Sequence, residues 1–362
     1  MQKKNIWLNV SVTAVIALIL GWVGYKILDV NILNNLAKTD SEADVLNYYY
    51  NIKNSKPDEI SSCLLDDKIV IFNLDGMKSR KEIADVIQEI ESANPKTIIL
   101  DIIFPHNSET NAEDDSYLSE TIAVYQNIYT AIRISDQTVE RSFFAPSPNK
   151  NEGLINETSW FQPYEVFNGD TLRYMEYAVT GVGGKANVNQ LINYSDREFD
   201  VLTVDNPIDA EDIEGQIVIV GDLGDWRDIH DKSFRMNGQW RVPGTRLFAY
   251  KLSSVLNDDW IIRLPQYLSV LIAFVLTFVF ALFCRLLAIR IENEAVRNMI
   301  QLAVWTIMVI ALLLTSYLVF SGCGKIISPV YAGIALSLTG IATDIWTIIL
   351  TIFNKIFKIK TR

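Results

Sequence analysis

Cysteine and histidine are scarce in this 362-residue chain, with 3 of the first and 2 of the second. Three cysteines are too few for a disulfide scaffold. Cys284 falls in an apolar run and reads as a small apolar residue, while a bridge between Cys63 and Cys323 is left open. His106 and His230 are too few and too far apart in sequence for a zinc spacing or a histidine-based catalytic set. The dinucleotide and phosphate-loop glycine patterns, a nucleophile elbow and any fixed-period repeat are also missing. No cofactor and no metal are expected, and no catalytic residue is nominated.

Acid is missing from part of the chain as well. A mean hydropathy of +0.17 accompanies a pI near 4.8, an unusual pair that implies two kinds of sequence in one average. Residues 29–265 hold 40 acidic against 21 basic residues, a charge of −19; the remainder holds 3 against 11, a charge of +8, and together they make the net −11. The remainder contains four apolar runs, 6–28, 266–284, 300–320 and 326–353, each about long enough to span the roughly 20 helical residues of a bilayer core. Lys3 and Lys4 precede the first run. Arg285, Arg290 and Arg297 separate the second from the third, and Lys355, Lys358, Lys360 and Arg362 follow the fourth. The positive-inside rule puts all three basic sites on the cytoplasmic face, with residues 29–265 outside and a short basic tail, 354–362, inside. The first run reads as a retained signal anchor, because Gly21 to Lys26 offers no good small-x-small cleavage site. The expectation is a multi-pass protein of a bacterial inner membrane with a large periplasmic domain. So acidic an exterior excludes nucleic acid as its partner.

Within the outer block, 68–74 and 97–103 are short apolar runs of the kind found in buried parallel strands. Ser79 and Glu82 form a capping box ahead of a helix with Ile83, Val86, Ile87 and Ile90 at helical spacing. Glu113, Asp114 and Asp115 load the start of a second helix, and 128–134 is a third strand. The fold class is therefore an α/β domain with a mixed sheet and a βαβαβ start, joined to an all-α membrane part. Residues 135–171 read as irregular. Strands are expected at 174–179, 186–191, 198–204 and 216–220, and an amphipathic helix at 245–257.

Candidate chemistry gathers on carboxylates. Asp75 lies just past the first strand and Asp101 inside the second, so both approach one sheet edge, where α/β folds place ligands. Asp222, Asp225, Asp228 and Asp231 recur every three residues after the strand 216–220, with His230 among them. Oxygen donors suit hard cations, although this is not a calcium-loop spacing. Asp344 is an acid at depth in the fourth run, expected to face the bundle or snorkel.

The order of parts resembles the type 2 CHASE family of sensory extracellular domains. The likeness lies in 69–75 with its following helix, in 97–104, in Asp114, Asp115 and Leu118, in 213–221, in Asp228 and His230, and in 243–249. It runs over about 69–353. The loop after the first strand departs from the family pattern, keeping only Ser79 and Arg80. The resemblance implies a sensor, and the candidate ligand contacts, taken together, are Asp75, Ser79, Arg80, Asp101, Asp222, Asp225, Asp228 and His230. Because the chain stops within ten residues of Phe353, the effector is expected on another chain, cytoplasmic or in the membrane. Its partners are then the lipid bilayer, an unidentified periplasmic ligand or protein, and that effector, with homodimerisation left open. The alternatives are a scaffold subunit of an envelope complex, docking through 135–171, and an extracytoplasmic hydrolase.

Overall fold

The computed structural model describes residues 6–29, 41–54, 64–75, 77, 79–105, 111–144, 151–156, 158, 160–182, 187–195, 197–205, 209–236 and 238–360. Cys63 and His106 lie outside the described residues, while Cys284 and Cys323 are free thiols. The chain divides into two compact units, Met1–Tyr49 with Ile262–Arg362, and Tyr50–Ile261. It opens with α1 (Ile6–Asp29) and α2 (Ser41–Lys53), and the boundary falls inside α2.

The second unit continues with β1 (Leu64–Asn73), α3 (Arg80–Ser92), β2 (Thr97–Leu100), α4 (Ala112–Val124) and β3 (Ile128–Ser135). Short strands follow: β4 (Thr138–Glu140), β5 (Glu152–Leu154), β6 (Trp160–Phe161), β7 (Tyr164–Phe167) and β8 (Asp170–Arg173). Then come α5 (Met175–Thr180), β9 (Asn187–Leu191), β10 (Arg197–Thr203), α6 (Ala210–Ile213) and β11 (Ile217–Gly221). A hairpin of β12 (Ile229–Met236) and β13 (Gln239–Pro243) leads into α7 (Gly244–Asn257).

The main sheet has seven strands in the order β10-β1-β11-β2-β3-β4, with β5 also on β3. All its pairings are parallel except β3 with β4. Strand β11 arrives late in the chain and inserts between β1 and β2, in register from Ile69 against Ile217 and Ile217 against Thr97.

Alternation along these strands sends side chains to two faces. Phe72, Leu74, Ile98, Leu100, Val218 and Val220 pack in one core with Val86, Ile87 and Ile90 of α3, Leu118 and Ile122 of α4, and Ile213 of α6. Ile69, Ile71, Ile99, Ile217 and Ile219 point the other way and are as fully buried. The long helix α7, which packs on β1 and β11, lies against that second face. Each buried side chain of this size contributes about 1.5–3 kcal/mol, so the apolar central strands hold the sheet between two helical layers. The capping box forms as the sequence implies: Ser79 Oγ accepts from Glu82 N at 3.1 Å, and Glu82 Oε2 accepts from Ser79 N at 3.2 Å.

Three expectations change. Residues 135–171, expected to be irregular, carry the short strands β4 to β8, whose pairings with β3, with β9 and with each other are contacts that an Asn-, Ser- and Pro-rich stretch does not signal. Residues 174–179 are not a strand but the helix α5, because Gly181 at φ +62 closes a helical turn by donating to Tyr177 O. Burial of Glu176 against Lys251 of α7 then fixes that turn, a tertiary contact that local propensity does not carry. The second strand ends at Leu100, so Asp101 stands just beyond it rather than inside it.

The other unit comprises α1, the outer part of α2, the end of β14 (Ile261–Arg263), α8 (Gln266–Arg290), α9 (Glu294–Cys323), β15 (Lys325–Ile326), α10 (Val330–Ser337) and α11 (Thr339–Lys360). Helices α1, α8 and α9 are each long and apolar enough to cross a membrane. The pair α10 and α11 makes a fourth candidate bent by 47°. Helix α1 packs on α8, α10 and α11. Gly21 allows the close approach, since any side chain there would strike Ala335. Tyr331 Oη donates to Leu18 O at 2.9 Å, and Trp346 Nε1 to Asn9 Oδ1 at 3.1 Å. On the outer part of α2, Tyr49 rests on the rings of Phe320 and Tyr317, with centroids 5.4 and 6.0 Å away. Asp344 is exposed on α11 rather than turned into the helices.

Candidate functional site

The parallel strands deliver their chain ends to one edge of the sheet. There Asn73, the last residue of β1, uses Oδ1 to accept from Asp75 N at 3.2 Å and Leu223 N at 2.9 Å, clamping two loops together. Asp101 N donates to Val220 O at 2.9 Å, so Asp101 leaves the sheet beside the end of β11. Ligands of α/β sheets bind at such carboxyl ends.

A cavity of about 610 Å³ opens here, within the usual size range for small-molecule sites. Asp101, Asp222, Asp225, Asp228 and His230 line one side of it together with Gly244 and Thr245 from the start of α7. Ile102, Ile103, Ile155, Ile192, Leu247 and Phe248 supply apolar surface, and Tyr194, Pro105, Asn156, Thr158, Arg133, Arg227 and Lys251 complete the described lining.

Two carboxylates sit on consecutive residues of α7. Asp228 accepts from the backbone of Gly244, and its carboxylate fills the space where a side chain at 244 would start. Asp101 accepts from the Thr245 hydroxyl. No side chain of the preceding Pro243 caps this helix, so Asp228 satisfies a donor that the helix start leaves open, and its charge suits the positive end of the helix dipole. Thr245 is held in turn by Gly221, where any side chain would collide with the Thr245 side chain.

These groups titrate away from their ordinary values. Asp101 is enclosed by protein but keeps part of its surface on the cavity. Desolvation pushes its carboxyl up to about 7, the Thr245 hydrogen bond opposes this, and the nearby charge of Asp228 adds to it. Asp228 is raised too, first by desolvation, with His230 at 3.5 Å as the main opposing influence. At the rim, Asp225 is held below the carboxylate range by its hydrogen bonds from Arg227. Deeper in the wall, Lys251 Nζ lies 2.8 Å from Glu176 Oε1 and 4.2 Å from the Tyr174 ring centroid. Burial raises Glu176, with Lys251 opposing the shift.

Of the residues nominated from sequence, Asp101, Asp222, Asp225, Asp228 and His230 come together on the cavity. Asp75 is not among its lining residues; it is exposed beside Gly224, whose missing side chain leaves room for the Asp75 carboxylate. Ser79 caps α3. Arg80 is engaged elsewhere: NH1 donates to Asp115 at 2.5 Å, NH2 to Pro105 O at 2.5 Å, and its guanidinium lies 4.7 Å from the Phe143 ring centroid. Gly244, Thr245, Lys251 and Glu176 were missed. A Pro-Gly-Thr step at the head of the last amphipathic helix was the available signal for the first two. Nothing local marks Lys251 and Glu176, which meet across 75 positions of sequence.

The arrangement offers a small ligand both carboxylates and apolar side chains, and Asp101 can gain or lose a proton near neutrality. Among the described residues no group of three or more acids, histidines or cysteines is placed to hold a metal ion.

An α/β domain with a cavity at its strand ends, on a chain carrying three or four candidate membrane helices, defines the class: a membrane protein with a ligand-accessible domain. The CHASE2 domain model matches residues 17–283, and the chain belongs to that family of extracellular sensory domains. The match begins inside α1 and ends inside α8. No curated protein and no solved structure matches the chain.

Proposed function

We infer that the protein is an inner-membrane sensor whose domain Tyr50–Ile261 faces the periplasm, binds a ligand in the cavity and signals through the membrane helices to a separate effector. The observation that carries this reading is the cavity itself, which collects five of the nominated polar residues at the carboxyl ends of a parallel sheet in a CHASE2 chain. A ligand can bias such a system only through different affinities for two states. Helix α7 is suited to that task, since Gly244 and Thr245 at its start hold the two cavity carboxylates.

Reporter fusions after residues 145 and 362 test the orientation, with periplasmic activity expected for the first and cytoplasmic activity for the second. Crosslinking in whole cells, followed by purification from membranes, is expected to recover a signalling enzyme or membrane partner. A complex that forms equally with Asp101 and Thr245 replaced and with cavity-filling Leu247→Trp would instead favour a scaffold.

A further inference from the structure

The charges around the cavity are unevenly matched. Each described base on its wall has a carboxylate of its own: Lys251 has Glu176 at 2.8 Å, Arg133 has Glu140 at 2.7 Å, and Arg227 has Asp225 at 2.9 Å. Asp101 has none. Among the described residues no base lies within ion-pair distance of it, and its hydrogen-bond partner is the neutral Thr245 hydroxyl. Asp228, close enough to raise the Asp101 carboxyl through its charge, is paired only loosely with His230 at 3.5 Å. Around Asp101 the cavity is thus short of positive charge, and a desolvated carboxylate without a cation is costly.

A metal ion would need more oxygen ligands in one place than the described acids provide. An ammonium group asks for less: three donors, met by two carboxylates and a hydroxyl. Ile102, Ile103, Ile155, Leu247 and Phe248 give the same wall apolar surface for a carbon skeleton, beside bases that are already paired.

We propose that the cavity binds a small organic ammonium ion, its charged head on Asp101, Asp228 and Thr245 and its apolar body against the isoleucines, Leu247 and Phe248. This rests on the cavity being the sensory site, and it names the chemical class that the site selects. An anionic ligand would add a further negative charge beside Asp228, and a neutral one would leave the ionised form of Asp101 without a countercharge. A primary amine pairs it and buries its own carbon skeleton in the same step.

The test uses three probes of one skeleton that differ in head charge: 2-phenylethylamine, 2-phenylethanol and phenylacetate. Each is titrated calorimetrically into the full chain in lipid nanodiscs at neutral pH. The amine is expected to bind at least about tenfold more tightly than the alcohol, as charge-assisted hydrogen bonds outweigh neutral ones, and phenylacetate to bind least. In Asp101→Asn the amine should fall to the affinity of the alcohol while the alcohol is unchanged, which also shows that the cavity is still formed. Asp228→Asn provides a second variant with the same expected direction. Equal affinity for all three, a preference for phenylacetate, or no amine binding up to roughly 10 mM overturns the proposal. Preference for phenylacetate or the alcohol would do so while leaving a ligand-binding cavity, and hence the sensor reading, standing.

Discussion

The carboxylate of Asp228 occupies the place where a side chain of residue 244 would begin, so the start of α7 and the loop after β11 interlock through the absence of a Cβ. This contact sets one edge of the cavity and fixes the direction in which α7 leaves it. Gly244→Ala should therefore force the Asp228 carboxylate off the Gly244 amide. Overpacking of this kind costs about 1–3 kcal/mol, and chemical denaturation of the purified chain measures it. The neighbouring Gly221→Ala should cost a similar amount through Thr245. If both variants melt like the parent, the cavity edge is not built by these close approaches.

Asp101 makes stability depend on pH. Its folded value of about 7 lies above the ordinary 3.8, so between those values the folded chain keeps a proton that the unfolded chain has released. Stability then falls as pH rises from about 4 to 7, and the penalty is complete above 7. Asp101→Asn removes the charge. It should match the parent near pH 4 and exceed it above pH 7 by at most a few kcal/mol, at about 1.4 kcal/mol per unit. Thermal melts across that range check the direction. An Asn variant that is less stable than the parent at alkaline pH contradicts the assignment. A stabilised variant that loses amine selectivity is the outcome expected of a site kept strained for binding.

How far the sequence carries can be seen in the same residues. Strands β1, β2, β3 and β11 and helices α3, α4 and α7 were legible, because burial on both sheet faces makes continuous apolar runs and the helices show their spacing and caps. The insertion of β11 between β1 and β2 was not legible, since strand order depends on pairing across more than a hundred positions. Helix α5 was misread as a strand because its short stretch, Met175–Thr180, owes its shape to Gly181 and to the burial of Glu176. At the site, carboxylates at strand ends stood out as a pattern. The partners that hold them, Gly244 and Thr245, are marked by what they leave room for or donate to, which only the folded chain displays.

The buried pair of Lys251 and Glu176 predicts a pH-dependent asymmetry. Glu176→Gln strands the Lys251 ammonium in the wall, and the loss should be about 3 kcal/mol, as for one partner removed from a buried pair. Lys251→Met strands Glu176, but a buried carboxyl can escape by taking up a proton. Its folded value, already raised by burial, rises further without the lysine. The Lys251→Met loss should thus be large at neutral pH and shrink on acidification, whereas Glu176→Gln shows no such recovery. The double variant Glu176→Leu with Lys251→Met should regain most of the single losses. Denaturant midpoints for the three variants at neutral and acid pH decide it; additive losses would mean that the two side chains do not act as a pair.

Arg197 predicts an order of effects on the opposite edge of the domain. Its guanidinium donates to Ser253 and, at 2.6 Å, to Asp259, and it lies 5.8 Å from the Tyr250 ring centroid and 4.0 Å from Asp66. Asp66 is itself buried and accepts from Ser253 and, at 2.9 Å, from Asn257. One side chain thus ties β10 to α7 and to the second residue beyond its end, and its charge compensates a buried acid. Arg197→Met keeps the bulk of the side chain but removes every donor and leaves Asp66 without a cation, so it should cost about 3 kcal/mol or more. Asp259 is different: its side chain is 37% exposed, so water can replace the lost partner. Asp259→Asn, which keeps an oxygen able to accept, should stay within about 1 kcal/mol. The ranking is the sensitive part, because both substitutions break the same ion pair. Equal losses would locate the energy in the Arg197–Asp259 bridge, whereas the larger Arg197 loss expected here locates it in the buried network around Asp66 and Ser253.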